Sequence, residues 1–100
     1  MSQDTRHSTL RWKGITDYVA VAVASAQSAV WASTTREIRI VSNTNCHINI
    51  GQNPTAAATD DNGFYLPANV VEYLHVTPGQ RLAVIRDTAD GILSVSEMTR

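Results

Sequence analysis

A chain of 100 residues with 17 % charged side chains and a net charge of -1 leaves room for a single domain and excludes a general nucleic-acid binder, because neutralising phosphates takes a concentrated basic face. Cys46 is the only cysteine, so neither an intrachain disulfide nor an all-cysteine zinc cage can form. No apolar run reaches the ~20 residues that a membrane-spanning helix needs, and Met1 to Lys13 is too polar for a signal peptide, so synthesis in the cytoplasm is expected.

Taken in chain order, residues 1–16 read as an extended N-terminal arm and residues 17–100 as one folded domain. The arm is mildly basic, with Arg6, Arg11 and Lys13 against Asp4, and a solvated terminus explains that composition as well as a docking arm does. Trp12 separates the two readings. An indole between Arg11 and Lys13 is costly to leave in water, so it is expected to enter a pocket on a partner or on a neighbouring copy.

From Tyr18 the chain alternates Val with Ala up to Ala24, which predicts a strand with valines on one face. Ala29-Val30-Trp31-Ala32 reads as a second strand. Arg36 to Val41 points Ile38 and Ile40 inward with Glu37 and Arg39 outward, and Cys46 to Gly51 puts Cys46, Ile48 and Ile50 on one face. Joined through Asn43-Thr44-Asn45, these two runs predict a β-hairpin. Gln52 to Asn62 is a polar loop with turn signals at Asn53-Pro54 and Asn62-Gly63, followed by a short apolar stop at Phe64-Tyr65-Leu66. Val70 to Val76 resumes an extended pattern. Thr77-Pro78-Gly79-Gln80 places Pro and Gly at the centre of a type II turn, and Arg81 to Arg86 and Ile92 to Glu97 complete the set. The fold expected is all-β: a single antiparallel, jelly-roll-like β-sandwich of about seven or eight short strands.

Residues suited to chemistry are few. Cys46 and His47 are adjacent, so a strand sends them to opposite faces, and Cys46 in register with Ile48 reads as a small core hydrophobe. His7, His47 and His75 form no i, i+2 or i, i+4 pair with ligand spacing. Asp60-Asp61-Asn62-Gly63 faintly suggests a calcium loop but lacks the full spacing, and an Asx turn accounts for the same letters. There is no nucleophile elbow and no Gly-rich phosphate loop. No catalytic, cofactor or metal residue is expected. The aromatics Trp12, Trp31, Tyr18, Phe64, Tyr65 and Tyr73 suit either a stacking platform for sugars or single-stranded bases, or anchors of a protein interface.

From Ile38 onward the order of elements resembles small tailed-bacteriophage virion proteins. The resemblance rests on Ile50-Gly51-Gln52-Asn53-Pro54-Thr55-Ala56, on Leu66-Pro67-Ala68, and on Pro78-Gly79-Gln80 before an apolar strand. Proteins of this kind resemble capsid decoration, or cement, proteins, and some sit at the head-tail junction or in the tail. The resemblance implies a sandwich on the capsid outer surface that binds across major capsid protein subunits, self-associates as a dimer or trimer, and has no active site to carry over. Arg11, Trp12 and Lys13 are then the expected arm contacts, with Phe64 and Tyr65 beside the long loop as domain contacts. A head-tail adaptor or tail component, and a carbohydrate-binding module, are the other readings. The last requires Trp31, Tyr65 and Tyr73 to lie exposed together.

Overall fold

The computed structural model describes residues 10–59 and 63–99. Eight strands form: β1 (Arg11–Val21), β2 (Ala26–Gln27), β3 (Glu37–Ser42), β4 (Cys46–Gly51), β5 (Phe64–Leu66), β6 (Glu72–His75), β7 (Arg81–Arg86) and β8 (Gly91–Thr99). They build two four-stranded antiparallel sheets, sheet I in the order β1-β8-β3-β6 and sheet II in the order β2-β7-β4-β5. The pairs β1 with β8, β2 with β7, β3 with β6 and β4 with β5 describe one long hairpin folded at the β4–β5 connection. Rolling that hairpin brings β8 against β3 and β7 against β4, which is the jelly-roll arrangement.

The core lies between the sheets and follows the alternation in the sequence. Val19 and Val21 of β1, Ile38 and Ile40 of β3, and Leu93 and Val95 of β8 face Cys46 and Ile48 of β4, Leu66 of β5, and Leu82 and Val84 of β7. Trp31 closes one end of this core. Cys46 is fully buried, and burial pushes its thiol pKa up, partly offset by a hydrogen bond with Ser42. The Thr77–Gln80 turn has the predicted shape: Gly79 carries a φ of 84° after Pro78, and the Gln80 N–H reaches the Thr77 carbonyl at 3.4 Å. Gly63 is required for another reason, since a Cβ there would sit 1.9 Å from the carbonyl oxygen of Ile48.

Three local expectations are corrected. First, β1 begins at Arg11, so Arg11 to Thr16 belong to sheet I and not to an arm. A bulge hides this in the sequence: Trp12 pairs with Met98 and Thr16 with Ser96, and Gly14 between them has a φ of 83°, so the two-residue alternation breaks where the strand continues. Of the arm, Met1 to Thr9 lie outside the described residues. Second, β3 and β4 are not a hairpin but lie in opposite sheets. Asn43 and Asn45 hold the corner between them, Asn43 Oδ1 accepting from the Ile92 N–H and Asn45 Oδ1 from the Ala68 N–H, so each turn-forming side chain bonds toward the neighbouring strand of its own sheet, β8 or β5, instead of closing a two-stranded ribbon. Third, the second strand is Ala26–Gln27, not Ala29 to Ala32. In that stretch two backbone donors go to carboxylates, Ala29 N–H to Asp17 Oδ2 at 2.7 Å and Ala32 N–H to Glu97 Oε1 at 3.0 Å, where a strand would have used them in a ladder.

Candidate functional site

The two outer faces of the sandwich differ, and the difference starts from connection lengths. The loop after β4 is the longest in the domain, and its first half lies over sheet II. Gln27 donates to Asn53 Oδ1 at 2.9 Å and to the Pro54 carbonyl at 2.8 Å. Asn49 Nδ2 donates to the Thr55 carbonyl, and the Ala56 N–H to Ser25 Oγ. Ala83 of β7 points outward by its register with Asn49, yet it is fully buried, as are Pro54 and Ala56 above it. At the far end of sheet II, His47 points outward into a bond with Asp87 at 2.9 Å and under the ring of Tyr65, centroid to centroid 5.3 Å.

The outer face of sheet I is exposed only in part, since Glu37, Ser96 and Met98 are buried there. Register places three cross-strand rows on its outer face: Trp12, Met98, Glu37 and His75; Thr16, Ser96, Arg39 and Tyr73; and Tyr18, Ser94 and Val41, with Ile92 beyond. Trp12 is 61 % exposed, Tyr18 68 % and Ile92 45 %. The bulge at Gly14 brings Trp12 and Thr16 to the same face, and the indole N–H donates to Thr16 Oγ1 at 3.0 Å, which in turn bonds Ser96 Oγ at 3.0 Å. Three depressions adjoin along this face: about 380 Å³ among Trp12, Thr16, Arg39, Tyr73, Ser96 and Met98; about 250 Å³ between Tyr18, Val41 and Ile92; and about 180 Å³ beside Glu37, His75 and Met98. A solvated antiparallel face usually alternates toward polar residues. Here Trp12, Tyr18 and Ile92 stand exposed among Ser and Thr, so the face is more apolar than that alternation leads one to expect.

The residues singled out from the sequence are not brought together. Trp12 is on sheet I, whereas Tyr65, 42 % exposed, is on sheet II, and Phe64 packs half-buried against the core. Lys13 is engaged within the chain: its Nζ donates to Thr34 Oγ1 and Thr35 Oγ1, both at 2.9 Å, and Thr35 in turn donates to the buried Glu97 carboxylate, a network that ties the 28–35 segment to β8. Arg11 is exposed at the start of β1. Trp31 is only 3 % exposed and donates its indole N–H to the Thr77 carbonyl at 2.7 Å, so it cannot join Tyr65 and Tyr73 in an open platform. Sequence reasoning missed Arg39, Met98 and Ile92 as members of one surface. Their outward alternation was legible, but the register that sets them on one face was not.

Among the described residues no group of three or more His, Cys, Asp or Glu is placed to hold a metal ion. Asp60 to Asn62, the faint calcium signal, lie outside the described residues. Among the described residues no helix is long and apolar enough to cross a membrane. Compared with known protein families, with characterised proteins and with solved structures, the chain matches none.

Proposed function

We propose that this protein is a virion structural component of the capsid-decoration type, which docks through the outer face of sheet I across neighbouring major capsid protein subunits. The observation that carries the docking part is the outer face of sheet I, where Trp12, Tyr18 and Ile92 are exposed, opposite a face partly covered by its own loop. The virion part rests on the resemblance of residues 38–100, and a jelly roll is a fold that viral capsid proteins use. Each copy offers a few aromatic anchors and few charges, so a single contact is weak. Repetition over a symmetric shell makes that sufficient, since simultaneous engagement multiplies modest affinities.

The test is co-sedimentation with assembled, expanded capsids lacking the protein. Saturation at a fixed ratio to the major capsid subunit, with a raised rupture temperature, is the expected result, and a Trp12→Ala, Tyr18→Ala variant should bind at least tenfold more weakly while Tyr65→Ala binds normally. Absence of saturable binding would overturn the decoration role and favour the head-tail junction or the tail. Equal loss from the Tyr65 variant would instead place the contact on sheet II.

A further inference from the structure

Near the middle of the outer face of sheet I lies Arg39, a cation without an ion pair among the described residues. Arg39 is half-buried in β3, between Ser96 on one neighbouring strand and Tyr73 on the other. Among the described residues no hydrogen bond or ion pair engages its guanidinium. Glu37, two positions back on the same face, is turned to His75 at 3.4 Å, and the nearby hydroxyls of Thr16 and Ser96 are bonded to each other. A guanidinium between aromatic walls gives up part of its water without gaining a partner, and the group that best replaces that water is a carboxylate, held by two parallel charge-assisted bonds.

We infer that the depression over Arg39 takes one aspartate or glutamate side chain from an extended acidic segment of the partner protein. This deepens the docking reading of sheet I and rests on it. The carboxylate meets Arg39, and the walls formed by Trp12 and Tyr73 exclude water from the pair. If the segment runs along the strands, a residue two positions further on advances by about 6.6 Å, one cross-strand row. That step leads to the second depression, between Tyr18, Val41 and Ile92, which suits an aliphatic side chain. The preferred ligand is therefore acidic and aliphatic at alternate positions on one face of a strand.

A titration separates this inference from the capsid reading because it needs no capsid. The isotope-labelled full chain is followed by NMR while a blocked peptide with glutamate and valine two residues apart is added, then its glutamine twin, then inorganic phosphate. The glutamate peptide should bind at least about tenfold more tightly than the twin, with shifts at the Trp12 indole N–H and the Arg39 Nε–H. Arg39→Gln should remove the difference between the peptides while leaving the rest of the spectrum in place, and Arg39→Lys, which keeps the charge but not the fork, should bind several-fold more weakly than the parent. Equal binding of both peptides, shifts centred elsewhere, or displacement by phosphate at equal concentration would overturn the inference. Shell binding that survives Arg39→Gln would overturn it too, without touching the decoration role.

Discussion

Replacing Trp31 with Phe tests how the sandwich is closed at one end. The side chain is buried, and its indole N–H donates to the Thr77 carbonyl, so the 28–35 segment is fastened to the Pro78-Gly79 turn. Phe keeps one ring and loses the donor. The lost hydrogen bond costs about 1 kcal/mol, and the carbonyl is not fully orphaned because the Gln80 N–H still reaches it. The missing part of the indole removes two or three buried carbon groups at ~0.8 kcal/mol each, about 2 kcal/mol in all. The sum, about 3 kcal/mol, lowers Tm by roughly 10–20 °C for a domain of this size. Trp12→Phe changes an exposed ring and should shift stability by less than about 0.5 kcal/mol. Urea melts of both variants, followed by fluorescence, give the two numbers, and each single-tryptophan protein reports its own environment. Trp31 alone should emit at short wavelength and resist acrylamide, whereas Trp12 alone should emit as a wet indole. Equal stabilities, or a Trp31 quenched as readily as Trp12, would refute the closed end and reopen Trp31 as a surface residue.

Three further expectations follow from Glu97, Cys46 and Gln27. Glu97→Ala strands the Ala32 N–H and the Thr35 hydroxyl and should cost about 2–4 kcal/mol in a urea melt, whereas Glu97→Gln keeps a carbonyl acceptor and should cost about half as much; equal losses would mean that the carboxylate does not hold the segment. Cys46 should react with a thiol reagent only as fast as the protein unfolds, and immediately in denaturant. Because burial raises its pKa, the folded state holds the thiol proton more tightly than the unfolded chain, so this stabilising contribution is complete below the ordinary thiol pKa and is lost as pH rises through the folded value; a melt series on Cys46→Ala against the parent from neutral to alkaline pH should show the difference shrinking upward. Gln27→Ala removes both bonds to the Asn53–Pro54 segment and should speed hydrogen exchange at the Ala56 amide while leaving the Val84 amide slow; equal acceleration at both would mean that the loop is not a separate cover.

The parts of this fold that were legible in the sequence are those in which each strand's own alternation decides its inner face. Ile38 and Ile40, Cys46 and Ile48, and Leu82 and Val84 all face the core as their spacing indicates. What the alternation does not carry is the partner of each strand. Both runs flanking Asn43-Thr44-Asn45 bury one face, and a hairpin or a corner between sheets satisfies that pattern equally; the corner is chosen by bonds to Ile92 and Ala68, distant in sequence. The start of β1 was lost to a bulge, and with it the placement of Trp12, whose position on sheet I depends on register with Met98. Lys13 looked like an arm residue because its acceptors, Thr34 and Thr35, are met only in the folded chain.

The asymmetry between the faces follows from the jelly-roll path itself. Strands β2 to β8 alternate between the sheets except across the β4–β5 tip, so most connections are spent on crossing from one sheet to the other and have little length to spare. The tip connects two neighbours in sheet II and therefore can be long without pulling the sheets apart, and the face it can fold back onto is that of its own sheet. Bonds from Gln27 and Asn49 show that it does so. Among the described residues, sheet I has no connection that starts and ends within it. Trp12, Tyr18 and Ile92, exposed on the same outer face, would be an association hazard in a protein with so few charges. On the docking proposal the same three side chains would meet another molecule, and Arg39, which has no ion pair among the described residues, sets the sign of the charge that this occupant should carry.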